Sequence, residues 1–128
     1  MSKIILITGA STGLGETIAT YLAQKGFTVY GTSRSIEQKS KPFLTMDLDV
    51  CNEASIQKGV NRIIEKHGRI DVLINNAGLA IAGPVEALPL AEVQRVFDTN
   101  VFGTIRTIQA VLPTMRQQKS GLIINISS

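Results

Sequence analysis

The sequence predicts an α/β fold in which helices cover both faces of a doubly wound parallel sheet. Apolar runs of strand length alternate with segments of helical period along the chain, which is typical of repeated βαβ units. A glycine-rich turn joins the first apolar run to the first helical segment. Right-handed crossovers then predict the strand order 3-2-1-4-5, and the chain is expected to be truncated after the fifth strand.

Five runs of residues are expected to form the strands. The first, residues 3–8, has β-branched and apolar residues in direct succession, which favours a strand buried on both faces. The other strands are predicted at residues 27–33, 43–46, 70–75 and 121–127.

Three helices are predicted between these strands. Leu14, Ile18 and Leu22 recur every fourth position after the glycine turn and are expected to form one apolar stripe, with Gly26 ending the helix. The second helix is expected to follow Asn52 as its N-cap and to end at residue 68. A single long helix is predicted over residues 90–115.

The composition fits one domain over residues 1–128 and argues against nucleic acid, a membrane or a metal as partners. The length of 128 residues and the 44% of hydrophobic residues suit one buried core. The net charge of +3 is scattered, so nucleic acid is not an expected partner. The first apolar run is too short to span a membrane and carries no signal-peptide pattern, so a cytoplasmic location is expected. With Cys51 as the only cysteine and no metal-ligand spacing, neither a disulfide nor a metal is expected.

Residues 8–15, TGASTGLG, predict a phosphate-binding turn. The N-terminus of a helix offers unpaired N–H groups and a positive dipole end. Gly9 permits a tight turn, Gly13 allows the backbone to approach a diphosphate, and Gly15 allows the helix to pack closely on the strand. The alternative is a glycine-rich turn that holds no ligand.

Three further segments follow the glycine turn in the sequence: Asn75-Asn76-Ala77-Gly78, residues 98–103, DTNVFG, and residues 121–128, GLIINISS. Together with the spacing G-x-x-x-G-x-G after Thr8, they resemble four hallmarks of the short-chain dehydrogenase/reductase family, a Rossmann-like family, in that family's order. The resemblance covers the whole chain and implies that it is the cofactor-binding front half of such an enzyme.

The resemblance also implies roles for individual residues. Asn100 resembles the catalytic asparagine that kinks its helix and holds a water of a proton relay, although a solvent-facing asparagine is the alternative. Ser128 resembles the catalytic serine that orients the substrate. The cofactor contacts that it implies come from Thr8, Gly9, Ser11, Thr12, Gly13, Leu14, Gly15, Asp49, Asn76, Ala77 and Gly78. Of these, Asp49 would accept a hydrogen bond from the adenine.

The family's catalytic tyrosine and lysine, spaced Tyr-x-x-x-Lys, are implied to lie beyond Ser128. The chain does contain Tyr21 and Lys25 at this spacing. They lie in the first helix, about 9 Å and 15 Å beyond Gly15, whereas chemistry in this fold belongs at the carboxyl ends of the strands. We interpret the pair as a coincidence of spacing.

The end of the second predicted strand favours NADP(H) over NAD(H). NAD-selective sites place a carboxylate there for the ribose 2′-hydroxyl, but this chain has Ser33 followed by Arg34. A guanidinium can clamp a 2′-phosphate through two charge-assisted hydrogen bonds, and Ser33 can donate a third. Lys39 and Lys41 would add diffuse attraction. A solvated loop arginine is the alternative for Arg34.

Together these features favour an NADP(H)-dependent oxidoreductase that transfers a hydride between the nicotinamide and a small carbonyl or alcohol substrate. Without Tyr-x-x-x-Lys at the site, the chain itself is expected to be inactive. A non-catalytic module that binds or senses NADP(H) is the alternative. An unpaired fifth strand and the family's dimer-forming long helix favour a homo-oligomer.

Overall fold

The structure, a computed structural model, describes residues 2–35 and 40–127. Ser128 and Lys39 therefore lie outside the described residues. In chain order the elements are β1 Ile4–Thr8, α1 Gly13–Gln24, β2 Thr28–Ser33, β3 Leu44–Asp47, α2 Glu53–His67, β4 Val72–Asn75, a 3-10 turn Val85–Ala87, α3 Leu90–Phe97, a π-helical turn Asp98–Phe102, α4 Gly103–Gln118 and β5 Leu122–Asn125.

The strands form a parallel sheet in the order β3-β2-β1-β4-β5, which confirms the predicted order. The predicted strands were slightly too long at several ends, and β3 runs one residue later, over Leu44–Asp47 instead of 43–46. Because all pairings are parallel, the carboxyl ends of the strands share one edge. This edge carries the glycine turn and the other loops of interest.

Two apolar cores lie on opposite faces of the sheet. Successive residues of β1 alternate between them, with Leu6 in one core and Ile7 in the other, and both are fully buried. The first core includes Ile63 of α2 and Val111 of α4, whereas the second packs under α1. The continuous apolar run in β1 therefore reflects a strand covered on both faces.

The helix ends follow the expected local signals. The side chain of Asn52 accepts a hydrogen bond from the N–H of Ser55, which caps α2 as predicted. Gly68 adopts a left-handed conformation with φ of 72° and closes the same helix. No helix among the described residues is both long and apolar enough to traverse a bilayer.

The long helix differs from its prediction. The expected single helix over residues 90–115 is divided into α3 and α4 by the π-helical turn Asp98–Phe102, and it continues to Gln118. A π-helical turn inserts one extra residue per turn and shifts the faces that follow. The apolar periodicity did not reveal it, because a single inserted residue disturbs the pattern less than ordinary sequence variation does.

The apolar stripe predicted on α1 is also wrong in part. Ile18 and Leu22 pack against the second core, but Leu14 is 56% exposed. Leu14 lies in the first helical turn, next to the glycine turn, one full turn before the helix reaches the core at Ile18. The stripe therefore begins at Ile18.

A buried carboxylate joins the amino ends of the two central strands. Asp71 accepts the main-chain N–H of Ile4 at 2.8 Å and hydrogen bonds from Arg69, including Nε at 2.9 Å. Burial acts to raise the pKa of Asp71. The Arg69 and Ile4 hydrogen bonds, together with the charges of Arg69 and Lys3, outweigh this effect and hold the pKa below its ordinary value.

Asp71→Asn should lower the free energy of unfolding by about 2 kcal/mol at neutral pH, because it removes a charge-assisted network at a buried position. The folded-state pKa lies below the unfolded value near 3.9, so this contribution is present above that pH and is lost as the pH falls through the folded-state pKa. Urea titrations of both proteins from about pH 7 to pH 3 measure the difference. The difference in unfolding free energy between the two proteins should shrink at acid pH. Glu92→Gln, in an exposed pair with Arg95, should change the unfolding free energy little at any of these pH values. A difference independent of pH would contradict the assignment.

Candidate cofactor site

The glycine turn connects β1 to α1 through a backbone that other residues would strain. Gly9 and Gly13 have φ angles of 68° and 61°, in the left-handed region that favours glycine. At Gly15 the restriction is steric, since a Cβ atom would lie 2.1 Å from the carbonyl oxygen of Gly9. Gly15 therefore lets α1 begin directly against the turn.

Thr8 links this turn to the end of β4. Its buried hydroxyl accepts the main-chain N–H groups of both Asn76 and Ala77 at 3.0 Å. The Asn76 amide in turn donates to the Gly9 carbonyl at 3.0 Å. The carboxyl ends of β1 and β4 are thereby held together at the centre of the sheet.

A cavity of about 180 Å³ opens at this edge. It lies where the loops after β1, β2, β3 and β4 converge, which is the usual ligand position in a doubly wound sheet. Its lining consists of Thr8, Gly9, Ser11, Ser33, Arg34, Leu48, Asp49, Val50, Cys51, Ala77, Gly78, Leu79 and Thr99.

The cavity brings together eight of the predicted cofactor residues: Thr8, Gly9, Ser11, Ser33, Arg34, Asp49, Ala77 and Gly78. The other five, Thr12, Gly13, Leu14, Gly15 and Asn76, do not line it. They surround it at the start of α1 and behind the glycine turn, where Gly15 and Asn76 serve packing and hydrogen bonding. For all thirteen residues, contacts with a cofactor stay predictions.

The cavity end formed by β2 carries hydrogen-bond donors without partners. The hydroxyl oxygen of Ser33 is buried and makes no hydrogen bond in the part of the chain that the structure describes. Arg34 follows at the exposed start of the next loop and forms no ion pair with the described residues. A buried hydroxyl without a partner is costly, and a ligand that accepts a hydrogen bond from Ser33 would remove this cost.

Asp49 is fixed by the loop that it belongs to. One carboxylate oxygen accepts the N–H of Cys51 at 2.9 Å, and the Asp49 N–H donates to the Ser55 hydroxyl at 2.9 Å. The other carboxylate oxygen has no partner among residues 2–35 and 40–127. The carboxylate is therefore oriented by its neighbours and keeps an acceptor for a ligand.

The π-helical turn places Asn100 against the loop after β4. Its amide makes two hydrogen bonds with the main chain of Leu79, accepting from N–H and donating to C=O, each at 2.8 Å. Thr104 donates to the carbonyl of Asn100 at 2.9 Å. Asn100 is exposed to solvent, and its amide also holds the loop that lines the cavity. Its catalytic role stays a prediction.

Arg106 fastens the same turn to the loop after β3. Its guanidinium donates to the carbonyls of Val50 and Asp98 at 3.1 and 3.2 Å, and to the Asp98 carboxylate at 2.5 Å. Hydrogen bonds from Arg106 and then from Cys51 lower the pKa of Asp98. Close approach is possible because Gly103 faces Val50, where a Cβ would lie 2.8 Å from a methyl group.

Comparison with known proteins assigns the family. A family model described as short chain dehydrogenase matches residues 3–128. The chain belongs to the short-chain dehydrogenase family. A 3-ketodihydrosphingosine reductase of Bacteroides thetaiotaomicron is 46% identical over 126 residues, covering 98% of this chain and 47% of that protein. Human retinol dehydrogenase 8 is 38% identical over 140 residues, covering 98% and 44%. The chain thus spans less than half the length of these relatives.

Two solved structures share the fold, and the first is a short-chain dehydrogenase. One from Streptomyces avermitilis has a TM-score of 0.93 and 36% identity, covering 100% of this chain and 50% of that one. ElxO with NADP bound has a TM-score of 0.92 and 32% identity, covering 100% and 56%. The predicted family and strand order are therefore confirmed.

Sequence reasoning missed several residues that shape this short-chain dehydrogenase site. Leu48, Val50 and Leu79 line the cavity, and their only signal was that they neighbour the predicted Asp49 and Gly78. Asn75 was part of the Asn-Asn-Ala-Gly motif, but its partners were not foreseen: it is buried and joins Thr107 at 2.5 Å and Asn125 at 2.9 Å, so it ties β4 to α4 and β5. Only tertiary structure reveals these contacts.

Neither tyrosine of the chain lines the cavity. Tyr21 is 57% exposed on α1, with the ammonium of Lys25 5.3 Å from the centre of its ring. Tyr30 is buried in the first core, and its hydroxyl lies 2.6 Å from Nε2 of His67. Among the described residues, no group of three or more metal-ligating side chains occurs.

Thr8→Val should lower the free energy of unfolding by about 2 kcal/mol or more, because it leaves the N–H groups of Asn76 and Ala77 without their acceptor. Thr8→Ser keeps the hydroxyl and should stay close to the original protein. Urea unfolding of the two variants provides the comparison. A loss in Thr8→Ser with none in Thr8→Val would show that the Thr8 methyl group, rather than its hydroxyl, stabilises the junction.

Proposed function

We propose that this protein is an NADP(H)-dependent oxidoreductase that transfers a hydride between the nicotinamide and a small carbonyl or alcohol substrate. The observation that carries the cofactor assignment is the cavity end at Ser33 and Arg34. It has a buried hydroxyl without a partner and a guanidinium without an ion pair among the described residues, and no carboxylate occupies the position after β2. This donor set suits a 2′-phosphate, whereas a 2′-hydroxyl would find no carboxylate here to accept its proton.

The residues around the cavity fit the rest of the cofactor. The main chain between Gly9 and the start of α1 would hold the diphosphate, and Asp49 would accept from the adenine. When bound, the nicotinamide supplies or accepts the hydride. The similar protein ElxO has been solved with NADP bound, which supports the choice of NADP(H).

The remaining chemistry would rest on two further residues of this chain. Asn100, held against Leu79, would organise the proton relay, and Ser128 would orient the substrate. The names of two relatives, a 3-ketodihydrosphingosine reductase and a retinol dehydrogenase, support a carbonyl or alcohol substrate. We further propose one domain over residues 1–128 and a cytoplasmic location, the latter resting on the shortness of the first apolar run.

Self-association is also part of the proposal. β5 lies at an edge of the sheet, and its Leu122 and Ile124 are 54% and 39% exposed. The helical segment beside it exposes Phe97, Phe102 and Ile105. Contact between two copies would cover apolar surface of this kind.

The alternative is a module that binds NADP(H) without catalysis. It is favoured by one observation, that neither Tyr21 nor Tyr30 lines the cavity. The coding sequence after Ser128 discriminates the two functions, since an open frame with Tyr-x-x-x-Lys supports the enzyme and a stop codon supports the module.

Arg34→Ala should weaken NADPH binding by about tenfold to a hundredfold, because it removes charge-assisted hydrogen bonds to the 2′-phosphate. NADH binding should change by less than about twofold. Isothermal titration calorimetry with both nucleotides measures this, with Arg95→Ala on α3 as a control. Equal losses for the two nucleotides would refute the cofactor assignment, and no binding of either by the original chain would refute the function itself.

The chain of 128 residues should not reduce ketones with NADPH, because no tyrosine lines its cavity. Absorbance of NADPH at 340 nm, followed with a panel of ketones, provides the assay. Reduction that disappears in Tyr21→Phe would overturn the interpretation of Tyr21 and Lys25 as a coincidence of spacing.

A further inference from the structure

An ion pair ties the segment before β3 to the start of α1. The ammonium of Lys41 contacts the carboxylate of Glu16 and lies 3.5 Å from the carbonyl oxygen of Ser11. The side chains are 16% and 38% exposed, so the lysine lies along the protein surface instead of extending into solvent. Its charge is held beside the glycine turn.

This ammonium lies beside one wall of the cavity that is proposed to hold the cofactor. Ser11, whose carbonyl it approaches, lines the cavity together with Ser33 and Arg34. The Ser33 hydroxyl has no hydrogen-bond partner and Arg34 no ion-pair partner in the described part of the chain, but Lys41 already has an anionic one. The three donor groups thus differ in their availability to a ligand.

A phosphate dianion bound at Ser33 and Arg34 would attract the same ammonium. Lysine carries a compact charge on a flexible stem with three donors, so Lys41 can turn toward the phosphate only by weakening its contact with Glu16. Glu16 also places a negative charge in the first turn of α1, on the side where the phosphates would bind. The repulsion between Glu16 and a bound phosphate therefore depends on whether Lys41 neutralises the Glu16 carboxylate.

We infer that Glu16 and the 2′-phosphate of NADP(H) compete for Lys41, so that Glu16 limits the affinity for NADP(H) and the selectivity over NAD(H). This inference rests on the proposed function. Glu16 is then a specificity-determining residue that acts through Lys41, and the sequence position after Gly15 regulates cofactor choice from outside the cavity.

The test is calorimetry of the full chain with NADPH and with NADH, for the original protein, Glu16→Gln, Lys41→Met and the double variant. Glu16→Gln should tighten NADPH binding by about threefold, the range expected when a partly exposed ion pair is released. NADH should change by less than about twofold, and the gain should diminish as salt is added. Lys41→Met should weaken NADPH more than NADH. Glu92→Gln, in the exposed pair on α3, is the matched control and should change neither.

The double variant isolates the competition. If Lys41 mediates the effect, Glu16→Gln should raise the NADPH affinity of the Lys41→Met variant much less than it raises the NADPH affinity of the original chain. A full gain in that background would mean that Glu16 repels the phosphate directly, which overturns the inference. If Glu16→Gln weakens the binding of NADPH and of NADH equally, the inference is also overturned, because the ion pair of Glu16 and Lys41 would then only hold the loop in place. Thermal unfolding of each variant verifies that the fold is kept. If the original chain binds neither nucleotide, the proposed function fails first.

Discussion

The site depends on the contact between the glycine turn and the end of β4. Thr8 accepts two main-chain N–H groups there, and the Asn76 amide closes the junction on the carbonyl of Gly9. The junction requires residues without a Cβ, since one at Gly9 would lie 2.8 Å from the Cα of Ala77. The glycines therefore do more than free a backbone for a phosphate. They allow the first and fourth strands to end side by side, which creates the edge at which the cavity opens.

A second constraint comes from the interrupted helix. Asn100 in the π-helical turn holds Leu79 in the loop after β4, and Arg106 one turn later holds Val50 in the loop after β3. Both loops line the cavity, so one helical segment fixes two of its walls. The extra residue of the π-helical turn is therefore part of how the site is built, as is common for such turns.

The parts of this structure that could be predicted from sequence are those set by local chemistry. The glycine turn, the Asn52 cap and the strand order follow from short patterns whose geometry is nearly obligatory. The family resemblance implied a kink at Asn100, but the apolar period did not reveal the π-helical turn there, because the turn changes that period by one residue. The pair of Glu16 and Lys41 could not be predicted, because it joins positions far apart in sequence. Leu14 was misassigned for a related reason, since helical period gives the direction of a side chain but not where the helix meets the core. The same holds for the residues that line the cavity. Asp49 and Gly78 were predicted from their motifs, whereas Val50 and Leu79 were identified only from the tertiary structure.

Polar contacts fix the end of β5 against β4. Asn75 donates its amide to the side chain of Asn125, and the N–H of Ile126 donates to the carbonyl of Asn75 at 3.0 Å. The hydroxyl of Thr107 in α4 donates to Oδ1 of the same Asn75 amide. The side-chain contact with Asn125 fixes the register of β5 in addition to its backbone pairing. Apolar packing alone would tolerate a shifted register in an exposed edge strand, whereas a shift here would leave the buried amide nitrogen of Asn75 without its Asn125 acceptor. The polar network therefore determines where β5 ends relative to β1 and β4, and with it which residues that follow β5 can approach the cavity.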